Sequence, residues 1–366
     1  MTVSDVIREI IRRQGPIPFD QFMDLALYYP DLGYYNSHRN PIGPKGDYYT
    51  MPQLTPVIGV MIARQLKEMW EILGHPEKFT VLEIGAGNGQ LCRSIVREAK
   101  KNQDFENALE YRIVERSAMM RVREKEILPS SVYISDSLDA LPPFTGCVLS
   151  NEFFDNLPFS IFAMEKELME VWVGHDLNFF EVLKPASDRI KSLIESLDIR
   201  IPEKSRLEIS EKSFEYLHQI ALKLQKGFVL TTDYGYLNPE LFRDQDTSGT
   251  LTCYHGHRRN QNPYIHVGEQ DITAHVNFST LSQFGRSHGL QVAGYTCQAN
   301  FLRAWGLLSY LSEAEPGCSF DESTALRFVT DLLFNKTGNK FKTLIQYKGI
   351  PPPLLTGLVF RTLIRL

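Results

Sequence analysis

The sequence predicts an α/β fold of the Rossmann-like type: a mostly parallel sheet with helices on both faces, preceded by a helical extension. Strands alternate with helices through residues 79–150, which is typical of a parallel sheet. Val81, Leu82 and Ile84 form the apolar run of a buried strand. Residues 90–100 then carry apolar side chains near helical spacing, so a glycine-rich turn joins this strand to a helix.

That turn contains Glu83, Gly85, Ala86, Gly87, Asn88 and Gly89. Its glycines let the backbone turn sharply and let a ligand approach the N–H groups. A dinucleotide site has the spacing G-x-G-x-x-G, but Gln90 stands where the third glycine belongs. The spacing E-x-G-x-G-x-G is instead typical of S-adenosylmethionine (SAM) sites, and the Glu83 carboxylate suits the cationic groups of SAM. A nicotinamide or flavin site and an ordinary β–α turn remain the alternatives.

Polar side chains also follow the next two predicted strands. Glu115 ends the strand at 109–115, where a carboxylate can accept hydrogen bonds from both ribose hydroxyls of a nucleoside. Because NAD-binding folds share such an acid, Glu115 supports a nucleoside without selecting the cofactor. After a third strand, Asp136 or Ser137 is placed to meet the adenine amino group. Alternatively, Asp136 caps the following turn.

Composition argues against several classes of function. The 366 residues are 43% apolar and 23% charged, as in an ordinary globular protein. A net charge of −5 argues against nucleic acid as the partner. Five widely spaced cysteines without a CxxC pair indicate reduced thiols. No apolar run reaches the roughly 18 residues of a membrane span, and the charged N-terminal pattern fits neither a signal nor a transit peptide. We therefore expect a cytoplasmic protein.

Changes of pattern along the chain predict its organisation. Residues 1–76 form a helical extension with a lid loop, and residues 77–366 form the cofactor-binding core. Short alternating strands with charged turns predict an α+β insertion at 159–212, after the fourth strand of the sheet. The part at 236–366 is rich in loops and helices, and one of its helices is expected at 322–335.

Seven unusual segments occur in a fixed order along the chain, among them Asn-Glu-Phe-Phe-Asp-Asn-Leu-Pro. They lie at 28–35, 46–52, 82–89, 151–158, 233–235, 249–251 and 268–278. Together they resemble the MidA-type SAM-dependent methyltransferases, a family that includes a mitochondrial arginine methyltransferase needed for complex I assembly. Three positions depart from the family pattern: Asn277 replaces an acid, Thr337-Gly338 replaces a Met-Gly pair, and Arg116 replaces a proline.

The resemblance implies a class I methyltransferase fold and methyl transfer from SAM to a guanidinium nitrogen of a protein arginine, with symmetric dimethylarginine as the product. It also implies a protein substrate, for which a respiratory-complex subunit is the candidate. Because a guanidinium is cationic and offers only donors, it needs carboxylates to orient it. Glu152 and Asp155 are the expected pair, with Asn151 orienting the substrate or the cofactor. The alternative is that the two acids cap the turn that follows.

Two further segments supply candidate site residues. His275 follows Asp271 by four positions, which would place both on one face of a helix and let His275 accept a proton. A hydrogen-bonded structural histidine is the alternative. Asp47, Tyr49 and Thr50 lie in the lid loop and are expected to close over the cofactor, where the tyrosine ring can face the sulfonium. The alternative is that the tyrosine only packs within the loop.

Four histidines, at 255, 257, 266 and 275, lie close together in the sequence. Their spacing matches no standard zinc motif, so no metal is expected. Two other functions stay open: an assembly or binding factor that uses SAM structurally or not at all, and a methyltransferase with a non-arginine acceptor. A nicotinamide oxidoreductase is disfavoured by Gln90.

Overall fold

The computed structural model of the protein describes residues 1–43, 46–240, 242, 248–313 and 337–361. The chain forms two compact units. The first comprises residues 1–48, 154–216 and 236–283, and the second comprises residues 49–153, 217–235 and 284–366. The predicted organisation keeps residues 1–76 together, but the two units divide them. Residues 1–48 belong to the first unit, together with the insertion, and residues 49–76 belong to the second unit. The helix expected at 322–335 lies outside the described residues.

The secondary structure follows in chain order. The helices are α1 (Val3–Gln14), α2 (Phe19–Tyr28), α3 (Met51–Leu54), α4 (Val57–Ile72), α5 (Gln90–Ala99), α6 (Gln103–Ala108), α7 (Ala118–Ile127), α8 (Asp188–Ser196), α9 (Glu211–Lys223), α10 (Phe278–Ser287), α11 (Gln298–Ala304), α12 (Leu307–Glu313) and α13 (Thr337–Lys340). The strands are β1 (Ile17–Pro18), β2 (Phe79–Ile84), β3 (Leu109–Val114), β4 (Tyr133–Ser135), β5 (Phe144–Asn151), β6 (Ser160–Met164), β7 (Leu168–His175), β8 (Phe179–Pro185), β9 (Arg206–Ile209), β10 (Leu224–Tyr236), β11 (Thr252–His255), β12 (Arg258–Asn260), β13 (Asp271–Thr273), β14 (Val276–Asn277), β15 (Gln291–Cys297) and β16 (Phe341–Lys348). Within the described ranges, none of the helices is long and apolar enough to cross a membrane.

The second unit is built on a sheet whose strands lie in the order β15, β16, β10, β5, β2, β3, β4. Neighbouring strands from β10 to β4 pair in parallel, whereas β16 is antiparallel to both of its neighbours. The chain order reverses beside β2, which makes the carboxyl ends of β2 and β5 the topological switch point. The predicted Rossmann-like fold class is confirmed.

Burial explains why β2 occupies the middle of this sheet. All six of its residues are buried, as is typical of a parallel strand covered on both faces. Helix α5 buries Leu91, Cys92 and Ile95, and it packs against α4. These side chains join one hydrophobic core, so the turn between β2 and α5 is fixed at both ends.

The first unit has its own core and two antiparallel sheets. Strands β1, β7, β6 and β9 form one sheet in that order, and β8 pairs with β7. This confirms the antiparallel strands predicted within the insertion. Phe19 and Phe22 of α2 pack with Val171 and Val173 of β7 in a single hydrophobic cluster.

The second sheet of the first unit corrects an expectation. Strands β12, β11 and β13 form a three-stranded sheet where the sequence predicts only a loop-rich stretch. Each strand has three or four residues, which is too few for an alternating pattern to be recognised. The Thr2 side chain caps α1, and β10 begins at Leu224, directly after the end of α9.

Gly146 of β5 lies at a crowded point of the large sheet, opposite Thr80 of β2. A Cβ atom at this position would overlap the backbone carbonyl of Thr80. We predict that Gly146→Ala lowers the free energy of unfolding by about 1–3 kcal/mol more than Gly74→Ala does, because overpacking forces the two strands apart. Gly74 is the matched control, since its φ is also positive (84°) but an added Cβ meets no atom within 4 Å. Urea unfolding measures both losses, and equal losses would contradict the crowding.

Candidate active site

The glycine-rich turn lies at the switch point, between the end of β2 and the start of α5. Gly85 has a φ of 68°, and its N–H donates to the carbonyl of Val114 (2.9 Å). A Cβ atom on Gly85 would lie 2.6 Å from the ring of Phe153, so only glycine fits there. Gly89, with a φ of 73°, is the N-cap of α5. The turn therefore begins with a residue that has no side chain, Gly85, and continues through Ala86, Gly87 and Asn88.

Glu83 lies in β2, beneath this turn. Its side chain is buried, and the Tyr111 hydroxyl donates to Glu83 Oε2 (2.7 Å). Burial raises the pKa of Glu83 to about 7, although the Tyr111 hydrogen bond opposes the shift. The structure therefore gives Glu83 a supporting position inside the sheet, and its direct contact with a cationic cofactor stays a prediction.

Glu115 follows β3 at the same edge of the sheet. It is buried, and its Oε1 accepts the N–H of Ser117 (2.7 Å). Burial raises the pKa of Glu115 to about 7, against the lowering effects of the Ser117 hydrogen bond and of Arg121. The fully buried Glu124 of α7 is a further acid here, and burial followed by the charge of Glu115 raises the pKa of Glu124 to about 9.

The candidate adenine contacts follow β4. Asp136 is exposed. Ser137 Oγ accepts the N–H of Asp139 (3.1 Å), so Ser137 caps this turn. The Ser135 hydroxyl also donates to the Ser137 carbonyl (3.1 Å). The turn is well defined, and contact of Asp136 or Ser137 with adenine stays a prediction.

The turn after β5 is tied to the end of β10. The N–H of Glu152, whose φ is +51°, donates to the Thr232 carbonyl (2.9 Å). The N–H of Phe153 donates to Asp233 Oδ2 (3.1 Å), and Asn151 Nδ2 donates to Glu152 Oε1 (3.1 Å). Since Phe153 also adjoins Gly85, the structure brings Asn151 and Glu152 together with the glycine-rich turn within the second unit.

Asp155 belongs to the first unit, where it lines a cleft. The cleft also contains Phe154, Phe159, Glu208, His275 and Asn277. The N–H of His275 donates to Thr250 Oγ1 (3.0 Å), and the Thr250 hydroxyl donates to Glu208 Oε2 (2.9 Å). This cleft therefore combines apolar walls, two acids and a histidine whose backbone is held by the Thr250 hydroxyl.

The predicted pairing of Asp271 with His275 on a helical face is wrong. Asp271 lies in strand β13, which pairs with β11 and ends at Thr273, so Asp271 and His275 share neither a helix nor a strand. Asp271 is buried instead and its Oδ1 accepts the Tyr35 hydroxyl (2.8 Å). Burial, followed by the charge of Asp155, raises the pKa of Asp271 well above its ordinary value.

The lid-loop residues have different roles. Asp47 is fully buried in the first unit and accepts hydrogen bonds from Tyr34 Oη (3.0 Å), Arg39 Nη2 (2.6 Å) and the Gly256 N–H (2.6 Å). These bonds hold the loop, and contact of Asp47 with the cofactor stays a prediction. In the second unit, Tyr49 is 44% exposed, and Thr50 is the N-cap of α3.

Several residues of these networks were not anticipated from the sequence. Tyr111 and Glu208 lie in strands β3 and β9, where each reads as an ordinary strand position. Thr250 lies in the segment at 249–251, and the resemblance of that segment to a family motif is the one sequence feature that marks Thr250 as a candidate. Its role emerges only when the fold brings Glu208 and His275 to its hydroxyl.

The fold and the switch-point turn define a class I methyltransferase. A family model described as an S-adenosyl-L-methionine-dependent methyltransferase matches residues 61–296. The chain belongs to this family. Membership confirms the predicted class of enzyme and its cofactor, SAM.

Solved structures and curated relatives are similar over most of the chain. A crystal structure of a Burkholderia thailandensis protein bound to S-adenosyl-homocysteine is 28% identical, with a TM-score of 0.89 over 98% of this chain and 95% of that chain. The protein arginine methyltransferase NDUFAF7 homolog of Drosophila melanogaster is 24% identical over 95% of this chain and 85% of its own length. Human protein arginine methyltransferase NDUFAF7 is 26% identical over 83% of this chain and 74% of its own length.

The residues of the second unit fit SAM. Its nucleoside needs acceptors for the ribose hydroxyls, which the Glu115 carboxylate offers at the end of β3. Its sulfonium and ammonium groups suit a site with several carboxyl groups, here Glu83, Glu115 and Glu152. Gly85 lacks a side chain because the Phe153 ring lies against it, and this contact ties the turn to the residues that follow β5.

We predict that SAM binding is coupled to the ionisation of Glu115. A carboxylate accepts the ribose hydroxyls better than the protonated acid does, and its pKa lies at about 7. Binding therefore releases a proton, and the affinity for SAM falls roughly tenfold per pH unit below that pKa. Glu115→Gln is expected to bind SAM weakly with little pH dependence, whereas Glu110→Gln, in the strand β3 that precedes Glu115, keeps the wild-type profile.

Calorimetry at several pH values measures these affinities, and buffers of different ionisation enthalpy report the proton release. If Glu115→Gln kept the full affinity and pH dependence of the wild type, the assignment of Glu115 to the ribose would be wrong.

Proposed function

We propose that the enzyme methylates arginine side chains of a protein substrate. The relatives named protein arginine methyltransferase support this acceptor. The observation that carries the proposal lies in the first unit, where the buried Asp155 lines the cleft with His275 and Glu208. A buried carboxyl group that lines a cleft favours a cationic ligand, which compensates the cost of its ionisation.

The chemistry of the reaction explains why acids are needed. Bound SAM supplies a methyl group on a positively charged sulfur. Transfer forms a bond from a guanidinium nitrogen to the methyl carbon, breaks the carbon–sulfur bond, and releases one proton from that nitrogen. The displacement is in line, so most of the rate comes from positioning the nitrogen. Because a guanidinium has five donors and no acceptor, carboxylates are the groups that can hold it.

We assign roles to four side chains on this basis. Asp155 and Glu152 would accept hydrogen bonds from the guanidinium N–H groups. Asn151, which already donates to the Glu152 carboxylate, would fix the orientation of that acid. His275 would accept the proton that the nitrogen loses.

We predict that Asp155→Asn lowers kcat by roughly 100-fold or more, because the amide cannot pair with the substrate cation. Its affinity for SAM should remain that of the wild type, since the cofactor residues lie in the second unit. Asp188→Asn, at a fully exposed acid of α8, is the matched control and should keep full activity.

The assay uses isotopically labelled SAM with candidate proteins, followed by mass spectrometric mapping of the methyl group. Label found on lysine or on a small molecule alone would contradict the arginine assignment. Unchanged activity of Asp155→Asn would contradict the assigned role of Asp155.

We further propose a subunit of a respiratory complex as the substrate, symmetric dimethylarginine as the product, and the cytoplasm as the compartment. The family resemblance of the seven sequence segments supports the substrate and the product, whereas the widely spaced cysteines without a CxxC pair support the compartment. Arginine methylation mapped in cells with and without the protein should differ at sites of such a subunit. If methylation at those sites did not differ, the proposed substrate would be wrong, but the proposed arginine methyltransferase activity would not be contradicted.

A further inference from the structure

We infer a zinc site at the three-stranded sheet of the first unit. Its ligands are the imidazoles of His255 and His266 and the carboxylate of Glu269. The potential ligand atoms of these residues all lie within 4.8 Å of one another. Two nitrogens and one oxygen form a donor set that suits zinc, with water completing the tetrahedron.

The backbone brings these ligands together from two segments. His255 ends β11, whereas His266 and Glu269 share a tight turn in which the Glu269 N–H donates to the His266 carbonyl (2.8 Å). His266 has a left-handed backbone, with a φ of 49°, a conformation that the surrounding structure must impose. Two ligands on one short turn and a third from a neighbouring strand can surround an ion without rearranging the chain.

The three side chains are also available to a metal. His266 and Glu269 are exposed, and His255 is half-buried. The two imidazole rings stack at 4.2 Å with an interplanar angle of 4°. Among the described residues, none forms a side-chain hydrogen bond with either ring or with the Glu269 carboxylate. Since χ2 of histidine is broad, rotation of the exposed His266 ring turns its lone pair toward an ion held by the other two ligands.

The site lies at one end of the network that holds the loop at Asp47. Gly256 and His257, next to the end of β11, donate their N–H groups to Asp47 Oδ1 (2.6 Å) and to the Asp47 carbonyl (3.0 Å). Arg39 donates both to Asp47 Oδ1 (2.6 Å) and to the Glu269 carbonyl (3.2 Å). Zinc would therefore join the turn at Glu269 to β11 and stabilise the anchoring of Asp47.

The test uses the full chain without a polyhistidine tag, stripped of metal with EDTA and titrated with zinc chloride by calorimetry. We expect one equivalent of zinc to bind. His266→Ala and Glu269→Gln should each weaken zinc binding by roughly 10–100-fold or more. The exposed His257, two residues from His255, gives the matched control, and His257→Ala should bind zinc as the wild type does.

A second measurement separates zinc binding from damage to the fold. Amide hydrogen exchange of the segment at 252–260 should slow when zinc is added to the wild type and stay unchanged in Glu269→Gln. Circular dichroism and SAM binding check that each variant folds. Absence of stoichiometric zinc binding by the wild type, or zinc binding with wild-type affinity by both ligand variants, would overturn the site. Zinc binding without slower exchange would overturn its stabilising role.

Discussion

The candidate cofactor site depends on the close approach of the Phe153 ring to the bare backbone of Gly85. Phe153 is also held from the other side, because its N–H donates to Asp233 at the end of β10. The carboxyl ends of β2, β5 and β10 are therefore linked through one residue. A side chain at Gly85 would push Phe153 away and release the turn that carries Glu152, so the glycine spacing serves the acceptor turn as well as the cofactor.

Buried acids are the second constraint on this molecule. In the second unit, burial raises the pKa values of Glu83, Glu115 and Glu124. Neither Glu124 oxygen accepts a hydrogen bond from a described residue. In the first unit, burial and Asp155 raise the pKa of Asp271. Such groups destabilise the folded state when they ionise, and a cationic ligand offsets that cost. A cationic cofactor and a cationic acceptor are the ligands that this pattern favours.

Local patterns predicted the sheet and the cofactor turn, because short stretches of sequence determine both. The apolar run of β2, the glycines and the acid at Glu115 needed no knowledge of distant partners. Contacts between distant segments escaped prediction. The sequence placed Asp47 in a lid loop but could not show that the Gly256 N–H donates to its carboxylate. The sequence spacing suggested a helix at Asp271, which lies in a strand that pairs with β11. Three-residue strands carry too little pattern to reveal such pairings.

The central claim is that the cofactor lies at the turn between β2 and α5, with its ribose on Glu115. A crystal structure of this chain with S-adenosylhomocysteine tests that claim most directly. The account predicts the nucleoside against residues 85–89, with both ribose hydroxyls donating to the Glu115 carboxylate. A ligand bound elsewhere, or a turn still closed by the Phe153 ring while Glu115 contacts only Ser117, would contradict it.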